Sequence, residues 1–303
     1  MILWLGGDKM PSYKTHSIHG EIVFSQLEDR IPIDYEALKT FCMGPDAMLL
    51  TDYRTFDYQH AHHTSSYFLT LIHMIKERHL QYNSEVMAFL YGQIDHFVLD
   101  SHLHPLIYYM TEGLPKKCSI RPHGLVEMWL DDYVMEEYHR TKSDYYRKRY
   151  MESPDLKKLV DSVYERIYST KHASSKYNLG FVSTCLFDQV VRHSRTKFFS
   201  FIMEKFNIGD VTYQHGYREV LPFLNSEKKV WFHPETEKRM IASFDELWNQ
   251  SIVDSIDIMK DVNGYLYDGQ KLRNPFLLND ISYNTGLSCG MGQKMKCVKE
   301  YVD

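Results

Sequence analysis

Apolar residues recur every three or four positions along most of the chain, which is the spacing of amphipathic α-helices. The pairs Asn263-Gly264 and Asp268-Gly269, which favour tight turns, lie near the C-terminal end and allow at most one short hairpin there. We therefore predict an all-α protein. The predicted helices cover residues 17–28, 34–42, 64–80, 84–104, 123–147, 154–169, 180–206 and 244–262.

Two of these helices carry start signals. Ser153 followed by proline is typical of an N-cap with proline in the first helical position. Ser243 with Glu246 three residues later indicates a capping box.

The remaining segments predict connections and not further domains. Gly113, Pro115 and Pro122 favour a non-helical connection between His104 and His123. From about residue 264 onward, glycine, asparagine and serine favour a loop-rich extension over the helical body. Because no linker or internal repeat divides the sequence, we expect one domain across residues 1–303.

Composition narrows the class of protein. Of the 303 residues, 44% are hydrophobic and 25% are charged, as in ordinary globular proteins. A net charge of -5 does not support nucleic-acid binding through a broad basic surface. No apolar run reaches the roughly 18 residues of a transmembrane helix, and the apolar start is too short for a signal peptide. Five cysteines without CxxC spacing suit a reducing compartment. We expect a cytoplasmic protein without integral membrane association.

Histidines are concentrated in the first half of the chain, where eleven of the sixteen fall between His16 and His123. Within residues 91–109, His96, Asp100 and His104 repeat at four-residue spacing on a predicted helix. Each step of four turns a side chain by only about 40°, so all three project from one face. The surrounding residues are apolar, which predicts burial, and a bound metal ion satisfies buried imidazole and carboxylate groups together.

Other residues of metal-binding type stand near this row. His123 and Glu127 form a second pair at i, i+4. His16 opens a predicted helix, where a capping role and a ligand role are equally consistent with the pattern. Asp46 follows Gly44-Pro45, where an aspartate is ordinarily a helix cap.

The stretch YQHAHHTSSYF supplies His60, His62 and His63, of which one or two could turn inward. The pattern alone does not choose between them. The histidines without a fitting partner are assigned structural roles: His73, His79 and His102.

The order of these motifs resembles the zinc-dependent phospholipase C family. The motifs are TH at 15–16, PD at 45–46, a histidine, HxxxD at 96–100, another histidine and HxxxE at 123–127. That family shares its site geometry with single-strand nucleases of the S1/P1 type. The resemblance covers roughly residues 10–135, and the later segments SFDELW and SYNTGL look like the bacterial branch of the family.

The resemblance implies a multi-helix fold with a cluster of two or three zinc ions, although iron and manganese accept similar ligands. By this resemblance, Asp100 bridges two metals and His96 binds the first of them. Asp46 and His60 complete the first site, with His63 as the alternative to His60. The second site takes His104, His123 and Glu127.

The third site departs from the family pattern. The resemblance implies that His16 and Asp100 bind the third metal. In the secreted enzymes an N-terminal tryptophan adds its amine, whereas Trp4 lies inside the peptide here. Met10-Pro11-Ser12 is a candidate natural start.

The implied function is metal-dependent hydrolysis of a phosphodiester or phospholipid, with Asp46 as ligand and general base. The alternatives are a nuclease or nucleotidase with the same geometry, and a non-catalytic metal-binding helical module. Four tyrosines could line a pocket for a headgroup or a base, although core roles are the preferred interpretation. They are Tyr91, Tyr108, Tyr109 and Tyr133.

Overall fold

The structure is a computed structural model that describes residues 13–27, 31–112, 122–141, 150–187 and 216–289. Helices dominate these residues, so the all-α prediction is confirmed. In chain order the helices are α1 (Tyr13–Ser25), α2 (Tyr35–Phe41), α3 (Tyr53–Ala61), α4 (Thr64–Glu77), α5 (Ser84–Thr111), α6 (Pro122–Glu137), α7 (Pro154–Tyr168), α8 (Ala173–Phe187), α9 (Gly216–Val220), α10 (Phe244–Tyr267) and α11 (Pro275–Leu278).

Helix α5 is the centre of the fold. It packs against α1, α2, α6 and α10, and nearly all of its side chains are buried. Because its buried residues lie on all sides, the helix runs through the interior of the protein. Within the described residues, no helix has the combination of length and apolar character that crossing a membrane requires.

The end of α5 corrects one sequence prediction. The helix was expected to stop at His104, but it continues through Pro105 to Thr111. Leu106 and Ile107 are buried, so the core face of the helix continues past the proline. The predicted connection from residue 113 to 121 lies outside the described residues.

Other helix boundaries also differ from the predictions. Helix α6 ends at Glu137 because His139 adopts a left-handed φ of 53° and terminates it. Helix α8 begins at Ala173, seven residues before the predicted start at 180, while residues 188–206 of that prediction lie outside the described chain. Helix α3 was not predicted, although Asp52 caps it by accepting a hydrogen bond from the Thr55 amide.

Both capping signals are confirmed. Ser153 accepts a hydrogen bond from the amide of Leu156 and has Pro154 directly after it. Ser243 and Glu246 form the reciprocal capping box at the start of α10.

A short hairpin lies before α10 and not in the C-terminal segment where the sequence allowed one. Strands β1 (Trp231–Phe232) and β2 (Arg239–Met240) pair antiparallel before α10, with Trp231 opposite Met240. Asn263-Gly264, expected to favour a turn, lies inside α10, where buried Val262 and Leu266 continue the core face of the helix. Tertiary packing therefore overrides the local turn preference.

Candidate metal centre

The predicted row of ligands on α5 forms one face. His96 Nε2 lies 3.1 Å from Asp100 Oδ2, and His104 Nε2 lies 3.5 Å from Asp100 Oδ1. All three side chains are nearly or fully buried. Asp100 thus stands between two histidines, and each of its carboxylate oxygens faces a different one.

Asp46 reaches this face from a short 3₁₀ turn, Gly44–Met48. Gly44 has a φ of 57°, and a Cβ at this position would lie 2.3 Å from Cγ of His96. Only glycine lets the backbone pass so close to the imidazole ring. The close approach places Asp46 Oδ1 3.9 Å from His96 Nε2.

Helix α3 brings His60 to the same place. His60 Nε2 lies 3.2 Å from Asp46 Oδ1 and 3.7 Å from Asp100 Oδ2, and its side chain is buried. His63 instead stands exposed at the start of α4, with its Nε2 3.2 Å from the hydroxyl of Tyr58. The structure brings His60 and not His63 to the cluster, because α3 has ended before His63.

Helix α1 brings His16 to the Oδ1 side of Asp100. His16 Nε2 lies 3.3 Å from Asp100 Oδ1, and the His16 ring stacks on the His96 ring with centroids 4.0 Å apart. The amide and hydroxyl of Thr15 both donate to buried Asp131, at 2.8 and 2.9 Å. These two bonds tie α1 to α6 one residue away from His16. Residues 1–12, which include Trp4 and the candidate start at Met10, lie outside the described chain.

Helix α6 carries His123 and Glu127, the second pair of candidate ligands four residues apart. Glu127 Oε1 lies 3.2 Å from His104 Nε2. His123 is buried one turn earlier, with its ring centroid 4.8 Å from that of Tyr108. The distances therefore bring Glu127 to the cluster, while His123 is placed beside it by its ring contact.

The donor atoms are close enough together to surround metal ions. The ligand atoms of His16, Asp46 and His96 all lie within 4.8 Å of one another, as do those of His60, His96 and Asp100. Imidazole nitrogens and carboxylate oxygens are the ligands that zinc takes in catalytic sites. The residues present therefore fit zinc.

Three of the histidines are oriented in the same way. Each ring donates its Nδ1 proton to a backbone carbonyl, which leaves Nε2 as the atom that faces the cluster. The pairs are His60 with Phe56 at 2.7 Å, His96 with Cys42 at 3.1 Å and His104 with Tyr283 at 3.0 Å. Sequence reasoning missed these partners because backbone carbonyls leave no residue signature.

Asp100 and Asp46 are held ionised by their neighbours. Burial alone would raise the pKa of Asp100, but His104, His96 and His16 lower it well below its ordinary value. Burial opposes ionisation of Asp46 in the same way, and His96 and His60 lower its pKa. Both groups are therefore anionic near neutral pH. Burial raises the pKa of Glu127, although His104 opposes the shift.

The pKa values of His16 and His96 are shifted in opposite directions. Burial lowers the pKa of His16, and the nearby His96 lowers it further. Burial would also lower the pKa of His96, but Asp100 and Asp46 outweigh it and raise that pKa to about 9.

Zinc binding at pH 7 is expected to release protons. With a pKa of about 9, His96 carries an extra proton in the metal-free protein, and a metal ligand must lose it. Zinc affinity should therefore rise with pH toward 9. The extra proton stabilises the metal-free fold fully below the ordinary pKa of 6.5, so this stabilisation should disappear as pH rises through about 9. Titration calorimetry in buffers of different ionisation enthalpy measures the release, and identical heats in all buffers would contradict it.

A second buried network holds the helices that carry the site. His19 Nδ1 lies 2.7 Å from Asp95 Oδ1, and His19 Nε2 lies 2.8 Å from the hydroxyl of Ser251. All three side chains are fully buried, and Ser251 donates its own proton to the carbonyl of Trp248. The network joins α1, α5 and α10, and it lies one turn from His16.

A small cleft, partly open to solvent, lies beside the donor atoms. The polar part of its lining includes His16, Asp46 and Glu127. The apolar part, which we call the apolar wall, consists of Leu99, Leu103, Ile107 and Leu130. A polar centre next to an apolar wall is typical of a ligand site.

The four tyrosines pack in or against the core, which was the preferred interpretation of the sequence. Tyr108 packs against His104 and His123. The other three pair with residues outside the cleft lining: Tyr91 with Asn263, Tyr109 with Trp231 and Tyr133 with Phe244. Among the described residues that line the cleft, none is a tyrosine.

Comparison with known proteins identifies the family. Residues 15–176 match the family described as zinc dependent phospholipase C, which is more than half of the chain. The match includes every residue predicted as a metal ligand. No curated protein and no solved structure matches the chain. The resemblance inferred from the motifs is confirmed, and the chain belongs to the zinc-dependent phospholipase C family.

Proposed function

We propose that the cluster binds two zinc ions that share Asp100. The first would be held by Asp46, His60 and His96. The second would be held by His104, His123 and Glu127. The support is that Asp100 Oδ2 faces His60 and His96, whereas Oδ1 faces His104. The family resemblance implies a third ion beside His16 and Asp100.

The proposed reaction is the hydrolysis of a P–O bond in a phosphodiester. Zinc in such a site supplies Lewis acidity, which makes water more acidic and polarises a phosphoryl oxygen. The chain supplies the base. Asp46 is anionic, because His96 and His60 lower its pKa against the effect of burial, and it lines the cleft. Its carboxylate can therefore accept the proton of the attacking water.

The apolar wall is the observation that favours a phospholipid among phosphodiesters. Four aliphatic side chains line the cleft beside the ligands and are each at most 4% exposed, so they would contact the apolar part of a lipid only inside the cleft. A nucleobase would instead be bound by stacking on aromatic rings. Among the described residues the cleft lining contains no phenylalanine, tyrosine or tryptophan ring, and the net charge of -5 does not favour a polyanion.

We expect the purified protein to hydrolyse a short-chain phospholipid. The activity should disappear with a chelator and return with zinc, because the residues of the cluster act through the metal. Phosphate-ester release from a lipid, a nucleotide and a generic phosphodiester should be measured in parallel. Faster cleavage of the nucleotide would favour the nuclease or nucleotidase alternative. A fully metallated protein that cleaves none of the three would indicate a non-catalytic metal-binding module.

A further inference from the structure

The segment from Ile281 to Ser288 lies more than 100 residues beyond the end of the family match, yet it contacts the candidate metal centre. The two end residues pair as an isolated antiparallel bridge. Inside it, the Ser282 amide donates to the carbonyl of Leu287 at 2.8 Å, and the Gly286 amide donates to the carbonyl of Ser282 at 2.9 Å. The segment is thus a closed loop, which we call the clasp.

The clasp is hydrogen-bonded to the backbone of His60. The amide of Tyr283 and the hydroxyl of Ser282 both donate to the His60 carbonyl, each at 3.0 Å. The Tyr283 ring also packs on the His60 ring with centroids 5.1 Å apart. Because His60 is the last residue but one of α3, these bonds hold the end of that helix in place.

The same residue also holds His104. The Tyr283 carbonyl accepts the Nδ1 proton of His104 at 3.0 Å. Tyr283 is fully buried, so no solvent competes for this bond. One backbone position of the clasp therefore anchors the main chain at His60 in α3 and orients the ring of His104 in α5, and these histidines belong to the two proposed zinc sites.

Gly286 sets the distance between the clasp and α5. Its φ is 64°, and a Cβ there would lie 2.5 Å from the carbonyl oxygen of Ser101. That carbonyl lacks its usual helical donor because Pro105, four residues later, has no N–H. The proline and the glycine together allow the clasp backbone to lie directly on α5.

The clasp is also anchored on its outer side. His233 Nε2 donates to the Thr285 carbonyl at 2.9 Å, which links the clasp to the hairpin β1–β2. Asp280, just before the clasp, accepts the amide of Ser65 at the start of α4 at 3.0 Å. The clasp is therefore fixed from several elements and not only by the histidines.

We propose that the clasp positions His60 and His104 and thereby sets the zinc affinity of both sites. The proposal rests on the proposed zinc cluster. Ser282 and Tyr283 are positioning residues, since they act on zinc only through the two histidines. Loss of such outer hydrogen-bond partners lowers metal affinity by about 10- to 100-fold.

A pair of glycine substitutions tests the proposal. Gly286→Ala and Gly269→Ala both place alanine at a left-handed φ, 64° and 72°, so they share the backbone strain. Only the alanine at position 286 would collide with another atom, the carbonyl oxygen of Ser101, because no atom lies within 4 Å of a Cβ at position 269. Zinc affinity of the full chain, measured by competition with a chromogenic chelator, should fall about 10- to 100-fold in Gly286→Ala. It should stay at the wild-type value in Gly269→Ala.

A milder pair covers the case in which Gly286→Ala does not fold. Ser282→Ala removes one hydrogen bond to the His60 carbonyl, and Ser255→Ala removes a buried serine hydroxyl from α10. Ser282→Ala alone should weaken zinc binding and change the visible absorption spectrum of the cobalt-substituted protein, which reports ligand geometry. Thermal unfolding of the metal-free variants separates this effect from general destabilisation.

The outcomes separate the two proposals. If the wild-type chain binds no zinc, the zinc cluster itself is wrong. If wild type binds zinc and both clasp variants match their controls in affinity and in cobalt spectrum, the clasp proposal alone is overturned. A selective loss of affinity in Gly286→Ala and Ser282→Ala supports it.

Discussion

Asp100→Ala is expected to remove both zinc ions and all hydrolytic activity. Asp100 Oδ2 faces His60 and His96, while Oδ1 faces His104 and His16, so the substitution removes a ligand from each proposed site at once. It also leaves His96 without the carboxylate that contributes most to its raised pKa. Elemental analysis of the purified variant should find close to no zinc per chain.

Glu127→Ala is the matched comparison. Glu127 lies beside His104, and both residues belong to the second proposed site. Its loss should therefore remove the second ion and leave the first. Circular dichroism of both variants, compared with chelated wild type, shows whether the helices persist. If the two substitutions remove the same single ion, the assignment of Asp100 as the bridging ligand is wrong.

Asp46→Asn is expected to lower the rate far more than the metal content. The amide keeps the shape of the side chain and one oxygen for the metal, but it cannot accept a proton from water. Loss of a positioned general base costs about 100- to 10,000-fold in rate. The turnover of a soluble phosphodiester and the zinc content of the same preparation should be measured together.

His63→Gln serves as the control for the same experiment. His63 was the sequence-based alternative to His60, and it lies exposed against Tyr58. Its substitution should leave both zinc content and rate unchanged. If Asp46→Asn loses zinc in proportion to its rate, Asp46 is a ligand alone and the assignment of the base is wrong.

Local periodicity made much of the site predictable. His96, Asp100 and His104 meet because helical geometry fixes the separation of residues four apart, whatever the rest of the chain does. Glu127 follows from the same rule on α6. Helix α1 begins four residues earlier than predicted. His16 nevertheless reaches Asp100, because the packing of α1 against the other helices sets the position of His16.

The remaining features depend on contacts between distant residues. The family resemblance favoured His60 over His63, but the structural reason, that α3 ends before His63, was not predicted. The clasp is invisible in the sequence because it acts on His60 and His104 through backbone atoms of Tyr283, more than 170 residues further along the chain than His104. The continuation of α5 beyond Pro105 likewise depends on burial that only the folded protein provides.

Anomalous diffraction at the zinc absorption edge, from crystals of the purified protein, is the most direct test of the zinc cluster. Two peaks are expected, one on each side of Asp100. The first should lie among Asp46, His60 and His96, and the second beside His104 and Glu127. A protein crystallised with excess zinc that shows no peak at Asp100, or peaks only at the protein surface, would contradict the zinc cluster and the hydrolytic function proposed for it.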